Sequence, residues 1–210
     1  MTDRRSLGIL AFEEVEELDA VGPYEVFQKA TKYGADWTVE MLAPAETDRV
    51  TAAAGLRFES DGVFDADTAP DYLLVPGGSW NDSAADEPVA GARALAADEA
   101  VLNKLRECHE RGTTLLSVCT GAMVLAEAGL LDGRPAVTHH GALADLRATD
   151  AEVVEARVVD DGDVVTAGGI TAGIDLALWV VEREWGREVA FEVENALEYE
   201  RSTDVYRSDG

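Results

Sequence analysis

The segment Leu116-Ser117-Val118-Cys119-Thr120-Gly121-Ala122 puts a thiol where an apolar strand ends and a helix begins. Thr113 to Val118 reads as a short buried strand, and Ala122, Leu125, Ala126 and Leu130 recur behind it at helical spacing. A cysteine on such a turn stands above the sheet with the first unpaired helix N–H groups aimed at it, which favours a thiolate and any oxyanion formed beside it. Gly121 lets backbone or substrate approach closely. The arrangement is that of a nucleophile elbow, although Ser117 stands where the serine version has its first glycine. A small buried apolar cysteine is the alternative reading of Cys119, and its position and flanks favour the nucleophile.

Positioning that thiol requires strands alternating with helices. Ser6 to Phe12 reads as a first strand, followed by an acidic loop and a helix from Gly22 or Pro23 to Lys32. Trp37 to Ala43 and Asp71 to Val75 read as further strands, and Val50 to Glu59 as a hairpin around Gly55. A polar loop over 79–88 precedes a helix from Ala92 to Glu110, stopped by Gly112. After the elbow come an extended piece at Pro135 to Thr138 and a short helix from Ala142 to Arg147. Late strands at Val153 to Val159 and Val164 to Ala167 flank an Asp-Asp-Gly-Asp turn, and helices at Thr171 to Trp185 and Glu188 to Glu200 precede a polar tail. This alternation predicts an α/β fold, a three-layer αβα sandwich with a mostly parallel central sheet, in one domain spanning residues 1–210. In such sheets ligands bind beyond the carboxyl ends of the strands. Three places qualify: Glu13 to Asp19, Pro76 to Trp80, and Cys119-Thr120.

The balance of 42 acidic against 17 basic residues gives a net charge of -25, which argues against nucleic acid and anionic membranes as partners. The acids are scattered and lysine is confined to Lys29, Lys32 and Lys104, a composition that resembles proteins of salt-loving organisms. At about 1 M salt the Debye length is about 3 Å, so such a charge density is tolerated. The two cysteines, Cys108 and Cys119, imply no disulfide framework, and Leu7 to Phe12 is too short for a signal segment. A soluble, cytoplasmic protein with a small-molecule substrate is expected.

Five segments carry a resemblance to the ThiJ/PfpI superfamily: Leu18-Asp19-Ala20-Val21-Gly22-Pro23-Tyr24-Glu25-Val26-Phe27, Val75-Pro76-Gly77-Gly78, Ser117-Val118-Cys119-Thr120-Gly121, Thr138-His139, and Thr166-Ala167-Gly168-Gly169-Ile170-Thr171-Ala172-Gly173-Ile174-Asp175. The resemblance implies a class I glutamine amidotransferase-like (flavodoxin-like) fold and a homodimer. Thr120 after the cysteine and an aspartate at position 19 look like the isonitrile hydratase branch. Its protease-like relatives carry histidine after the cysteine, and its glyoxalase and deglycase relatives carry glutamate at the Asp19 position. The resemblance then implies that Cys119 attacks an electrophilic isonitrile carbon, with Asp19 as general acid and base and formamide as product. Without it, Asp19 reads equally as a helix cap.

A thiol near pKa 8.5 needs roughly 5 kcal/mol of differential stabilisation to titrate at about 5, whereas a helix terminus contributes about 0.3 to 2 kcal/mol. Further donors are therefore expected at sulfur, a protonated Asp19 among them. Gly77 and Gly78 read as a plain turn that is also placed to aim N–H groups at an oxyanion. Thr120 offers its N–H and hydroxyl. His139 stands where relatives have a histidine near the cysteine, and it reads either as a tuning base or as a structural histidine. His140 departs from the aromatic expected in the isonitrile branch, and Trp80 is a candidate to line the pocket instead. There is no Walker loop, dinucleotide fingerprint or zinc spacing, so chemistry without metal or cofactor is expected. Amidase, peptidase or glyoxalase chemistry, and redox or small-molecule sensing at Cys119, are the competing readings. A regulator fused to a DNA-binding segment is disfavoured by the short stretch after the last helix.

Overall fold

A computed structural model describes residues 4–80 and 90–208. Most of the polar loop expected over 79–88 lies outside the described residues. Eight strands form one sheet in the spatial order Val205–Arg207, Val158–Asp160, Val164–Ala167, Thr114–Val118, Tyr72–Val75, Arg5–Leu10, Trp37–Ala43 and Gly62–Val63. Neighbours run parallel except for the Val158–Asp160 and Val164–Ala167 hairpin. The Tyr72–Val75 and Val164–Ala167 strands are buried throughout. Such strands must be apolar on both faces or satisfy their polar groups, and Thr166, the polar residue of Val164–Ala167, accepts the Val137 N–H at 2.9 Å.

The described helices are α1 (Glu17–Thr31), α2 (Gly91–Ala96), α3 (Glu99–Glu110), α4 (Gly121–Glu127), α5 (Leu143–Leu146), α6 (Ala172–Trp185) and α7 (Arg187–Leu197). Helices α1, α6 and α7 pack together on one face of the sheet, and α2, α3 and α4 on the other. The three-layer αβα architecture expected from the sequence is the one observed. Leu74, Leu116, Leu125 and Leu176 are fully buried between the layers, where truncation of one leucine to alanine costs about 2–5 kcal/mol.

Several element boundaries differ from expectation for identifiable reasons. Helix α1 begins at Glu17 rather than Gly22, because Asp19, Ala20, Gly22, Pro23, Val26 and Phe27 form a continuous buried stripe that holds Pro23 inside the helix. This packing carries Asp19 into the helix and into the protein interior. The single helix expected over Ala92 to Glu110 is two helices, since the Asp98 carboxylate caps α3 by accepting the N–H groups of Ala100 at 2.9 Å and Val101 at 3.4 Å. The strand expected over Val153 to Val159 is divided: Glu152–Val153 pairs with Pro135–Ala136, while Val158–Asp160 joins the main sheet. The polar tail contains the edge strand Val205–Arg207.

Candidate active site

Strand register assembles the site. Val75 lies opposite Ser117 and Ala167 opposite Val118, so the segments following three adjacent strands meet at one height above the sheet. These are Pro76-Gly77-Gly78, Cys119-Thr120 and Gly168-Gly169-Ile170. The next strand, Arg5–Leu10, leads through the acidic loop into α1, which supplies Asp19.

Cys119 has φ 58° and Ile170 has φ 44°, left-handed values that are sparsely populated outside glycine. Around the first, the Cys119 N–H donates to the Gly168 carbonyl at 2.9 Å and to the Ala167 carbonyl at 3.2 Å. The Cys119 carbonyl accepts the Thr138 hydroxyl at 2.9 Å. These bonds hold a strained turn, as functional turns commonly require. Behind it, Gly121 faces the Val75 carbonyl so closely that an added Cβ would lie 2.0 Å from the oxygen. Only glycine fits there, and its absence would push the elbow away from the neighbouring strand.

Asp19 is completely buried and Cys119 nearly so, at 7% exposure. The Gly77 N–H donates to Asp19 Oδ2 at 3.0 Å, whereas Oδ1 is buried without a hydrogen-bond partner. Burial pushes the Asp19 carboxyl up to about 7, with a smaller contribution from the Glu16 charge; the Gly77 N–H and the Cys119 thiol pull the other way. Burial also pushes the Cys119 thiol up to about 12, reinforced by the negative charge of Asp19 and opposed by the N–H groups of Ile170 and Thr120. A resting thiolate favoured by the helix terminus was expected, and the balance lies the other way. Desolvation of a buried anion beside a carboxylate outweighs two backbone donors. The two groups therefore titrate as a unit that retains one proton above neutral pH.

The expected site residues divide into three groups. Cys119, Asp19, Thr120, Gly77 and Gly78 come together. The two glycines, however, direct their N–H groups at side chains and not at an open oxyanion position: Gly77 binds Asp19, and the Gly78 N–H donates to the Thr120 hydroxyl oxygen at 3.1 Å. They orient the acid and the threonine. His139 lies against Gly169, its Nδ1 accepts the Gly141 N–H at 3.1 Å, and burial lowers its pKa. Trp80 is turned to packing. Its indole N–H donates to Asp145 at 2.7 Å, Arg93 lies over its ring at 4.3 Å, and it is not among the residues lining the cleft beside the elbow.

That cleft has a volume of about 560 Å³. It adjoins the elbow: Thr138 and Ile170, which line it together with His139, His140 and Leu143, bond the Cys119 carbonyl and sulfur, although Cys119 itself is not among the lining residues. Sequence reasoning assigned no role to Ile170 or Thr138. The signal available was the Gly168-Gly169 pair after a buried strand, which repeats the pattern of Gly77-Gly78. No group of three or more His, Cys, Asp or Glu side chains suited to a metal occurs among the described residues. No described helix is long and apolar enough to cross a membrane.

A mostly parallel three-layer sheet whose central strand ends in a cysteine elbow, with a buried acid beside it, defines a class of α/β protein. The chain belongs to the DJ-1/PfpI family, whose profile matches residues 5–183. It is 36% identical to isonitrile hydratase of Pseudomonas putida over 92% of this chain and 78% of that one. It is 31% identical to the Parkinson disease protein 7 homolog of Danio rerio, over 94% of this chain and 98% of that one. The crystal structure of a ThiJ/PfpI family protein from Pseudomonas syringae superposes with a TM-score of 0.81 at 28% identity, covering 94% of this chain and 76% of that one.

Proposed function

We propose that this protein is a cysteine enzyme of the isonitrile hydratase type, converting an isonitrile and water to an N-substituted formamide without a cofactor. The observation that carries the reading is the buried pair of Asp19 and Cys119, which holds one transferable proton beside a nucleophilic sulfur. Similarity to isonitrile hydratase supports the choice of substrate. So does access: at 7% exposure, Cys119 suits a slender terminal carbon better than a peptide carbonyl with chain on both sides.

Above pH 7 the Asp19 carboxylate removes the thiol proton as sulfur bonds to the terminal isonitrile carbon. Developing charge on sulfur receives the Ile170 and Thr120 N–H groups. Asp19 returns the proton to that carbon, giving a thioimidate, R–N=CH–S. Water then adds to the same carbon, losing a proton to Asp19, which passes it to the nitrogen. Collapse of the adduct forms the C=O bond and breaks the C–S bond, releasing formamide and restoring the thiol. One isonitrile and one water are consumed, and no oxidant or reductant is needed.

The test compares an aryl isonitrile with methylglyoxal as substrates, in high salt, for the parent protein, Cys119→Ala and Asp19→Ala. Hydration of the isonitrile that is lost in both variants supports the reading. Turnover of methylglyoxal alone moves the protein to glyoxalase chemistry, and selective peroxide oxidation of Cys119 with no turnover moves it to sensing.

A further inference from the structure

The cleft that adjoins the elbow through Thr138, Gly168 and Ile170 is far larger than a reacting isonitrile carbon and nitrogen need, and it is the space beside Cys119 in which a substituent would lie. Two of those walls are imidazole rings in contact. The His139 and His140 centroids are 4.1 Å apart with planes inclined by 40°. His139 cannot retreat, because the Gly141 N–H holds Nδ1 and the ring lies against Gly169, where an added Cβ would fall 2.3 Å from its Cδ2. His140 is exposed and rests on that fixed ring.

Charge in the same cleft is already matched. The Arg157 guanidinium is paired with the buried Asp175 and donates to the Thr171 hydroxyl at 2.9 Å, and the Glu155 carboxylate is paired with Arg147. Each is thus engaged by a side chain of the protein, and the net charge of -25 opposes an anion. The remaining walls are the apolar Val137, Leu143, Ala156 and Ile170 and two threonines whose hydroxyls are engaged, Thr138 with the Cys119 carbonyl and Thr171 with Arg157.

We propose that His140, braced by His139, selects the substituent of the substrate, and that the cleft accepts a flat, uncharged one such as an aryl ring. This inference rests on the reading that a small electrophile reaches Cys119, and it refines the substrate class of that site. The ring of the substituent stacks on the outer face of His140 while its edge lies along Leu143 and Ile170. Offset stacking of this kind rewards a planar group over a flexible chain of similar polarity.

The test uses thiol alkylation, which does not depend on isonitrile turnover. Rates of Cys119 alkylation by N-phenyl iodoacetamide and N-propyl iodoacetamide are read by peptide mass spectrometry, which separates Cys119 from Cys108, and are divided by the rates for free cysteine. The phenyl-to-propyl ratio is expected to be about fivefold above that of free cysteine, the size of one ring contact. His140→Ala abolishes the preference and His140→Phe retains it. A parent ratio equal to that of free cysteine, a ratio that survives His140→Ala, or no alkylation by either reagent overturns the proposal. If the aryl preference holds while no isonitrile is hydrated, the reaction assignment falls and the cleft assignment stands; hydration without aryl preference does the reverse.

Discussion

The Gly77 N–H donates to Asp19 Oδ2 at 3.0 Å, and Oδ1 is buried without a hydrogen-bond partner. A backbone turn after one strand thereby orients the carboxyl group that lies beside the cysteine after the next. The relation makes the chemistry of Cys119 depend on the ionisation of its neighbour.

That dependence fixes a pH profile. Asp19 titrates near 7 and the thiol near 12, so the form with a carboxylate base and a proton on sulfur exists between those values. Alkylation of Cys119 by iodoacetamide should rise about tenfold per pH unit below 7 and level off above it, with the plateau persisting well into alkaline conditions. Following the rate by mass spectrometry from pH 5 to 10 checks this. A rate already flat at pH 6 would show instead a thiolate poised at low pKa.

Asp19 also costs the fold stability. Its folded pKa of about 7 lies above the ordinary 3.8, so between those values the folded protein binds more protons than the unfolded chain, and stability falls as pH rises through the window. The penalty is fully present above pH 7 and absent below about pH 4. Three pK units correspond to at most roughly 4 kcal/mol. Asp19→Asn, which keeps an acceptor for the Gly77 N–H, should melt several degrees higher than the parent at pH 8 and match it at pH 4. A lower melting temperature at pH 8 contradicts the burial argument.

Gly121→Ala should be severely destabilising, by about 3 kcal/mol or more, because its Cβ would overlap the Val75 carbonyl. Chemical denaturation measures this. Thr138→Val tests the elbow more gently: loss of the 2.9 Å bond to the Cys119 carbonyl should lower stability by about 1 kcal/mol and slow Cys119 alkylation while leaving the pH midpoint unchanged.

The acidic composition makes the stability of the fold depend on salt. With 42 acids and 17 bases, self-repulsion opposes the compact state in dilute buffer, and screening shortens from about 10 Å at 0.1 M to about 3 Å at 1 M. Thermal melting should therefore shift upward between those concentrations of NaCl. An unchanged or lower melting temperature would show that self-repulsion does not limit the fold.

Much of this architecture was legible in the residues, because strand ends announce themselves: Pro76-Gly77-Gly78 follows the apolar run Tyr72 to Val75, and Cys119-Thr120 follows a run interrupted only by the small Ser117. Asp19 was visible as a carboxylate before Gly22-Pro23, but its helix was placed too late, since a proline normally marks a first turn and here tertiary packing carries it inside. Ile170 escaped notice because it acts through a backbone N–H whose direction is set by a left-handed φ and by strand register, neither of which depends on its side chain. The ionisation of Cys119 was expected in the wrong direction for a related reason. A helix terminus can be inferred from sequence, whereas the completeness of Asp19 burial cannot.

The most direct measurement is acid-quench mass spectrometry of the intact protein during turnover of an aryl isonitrile. The account predicts a transient mass increase equal to one isonitrile, mapped to Cys119, and no formamide from Cys119→Ala. Formamide production that persists in Cys119→Ala would contradict it.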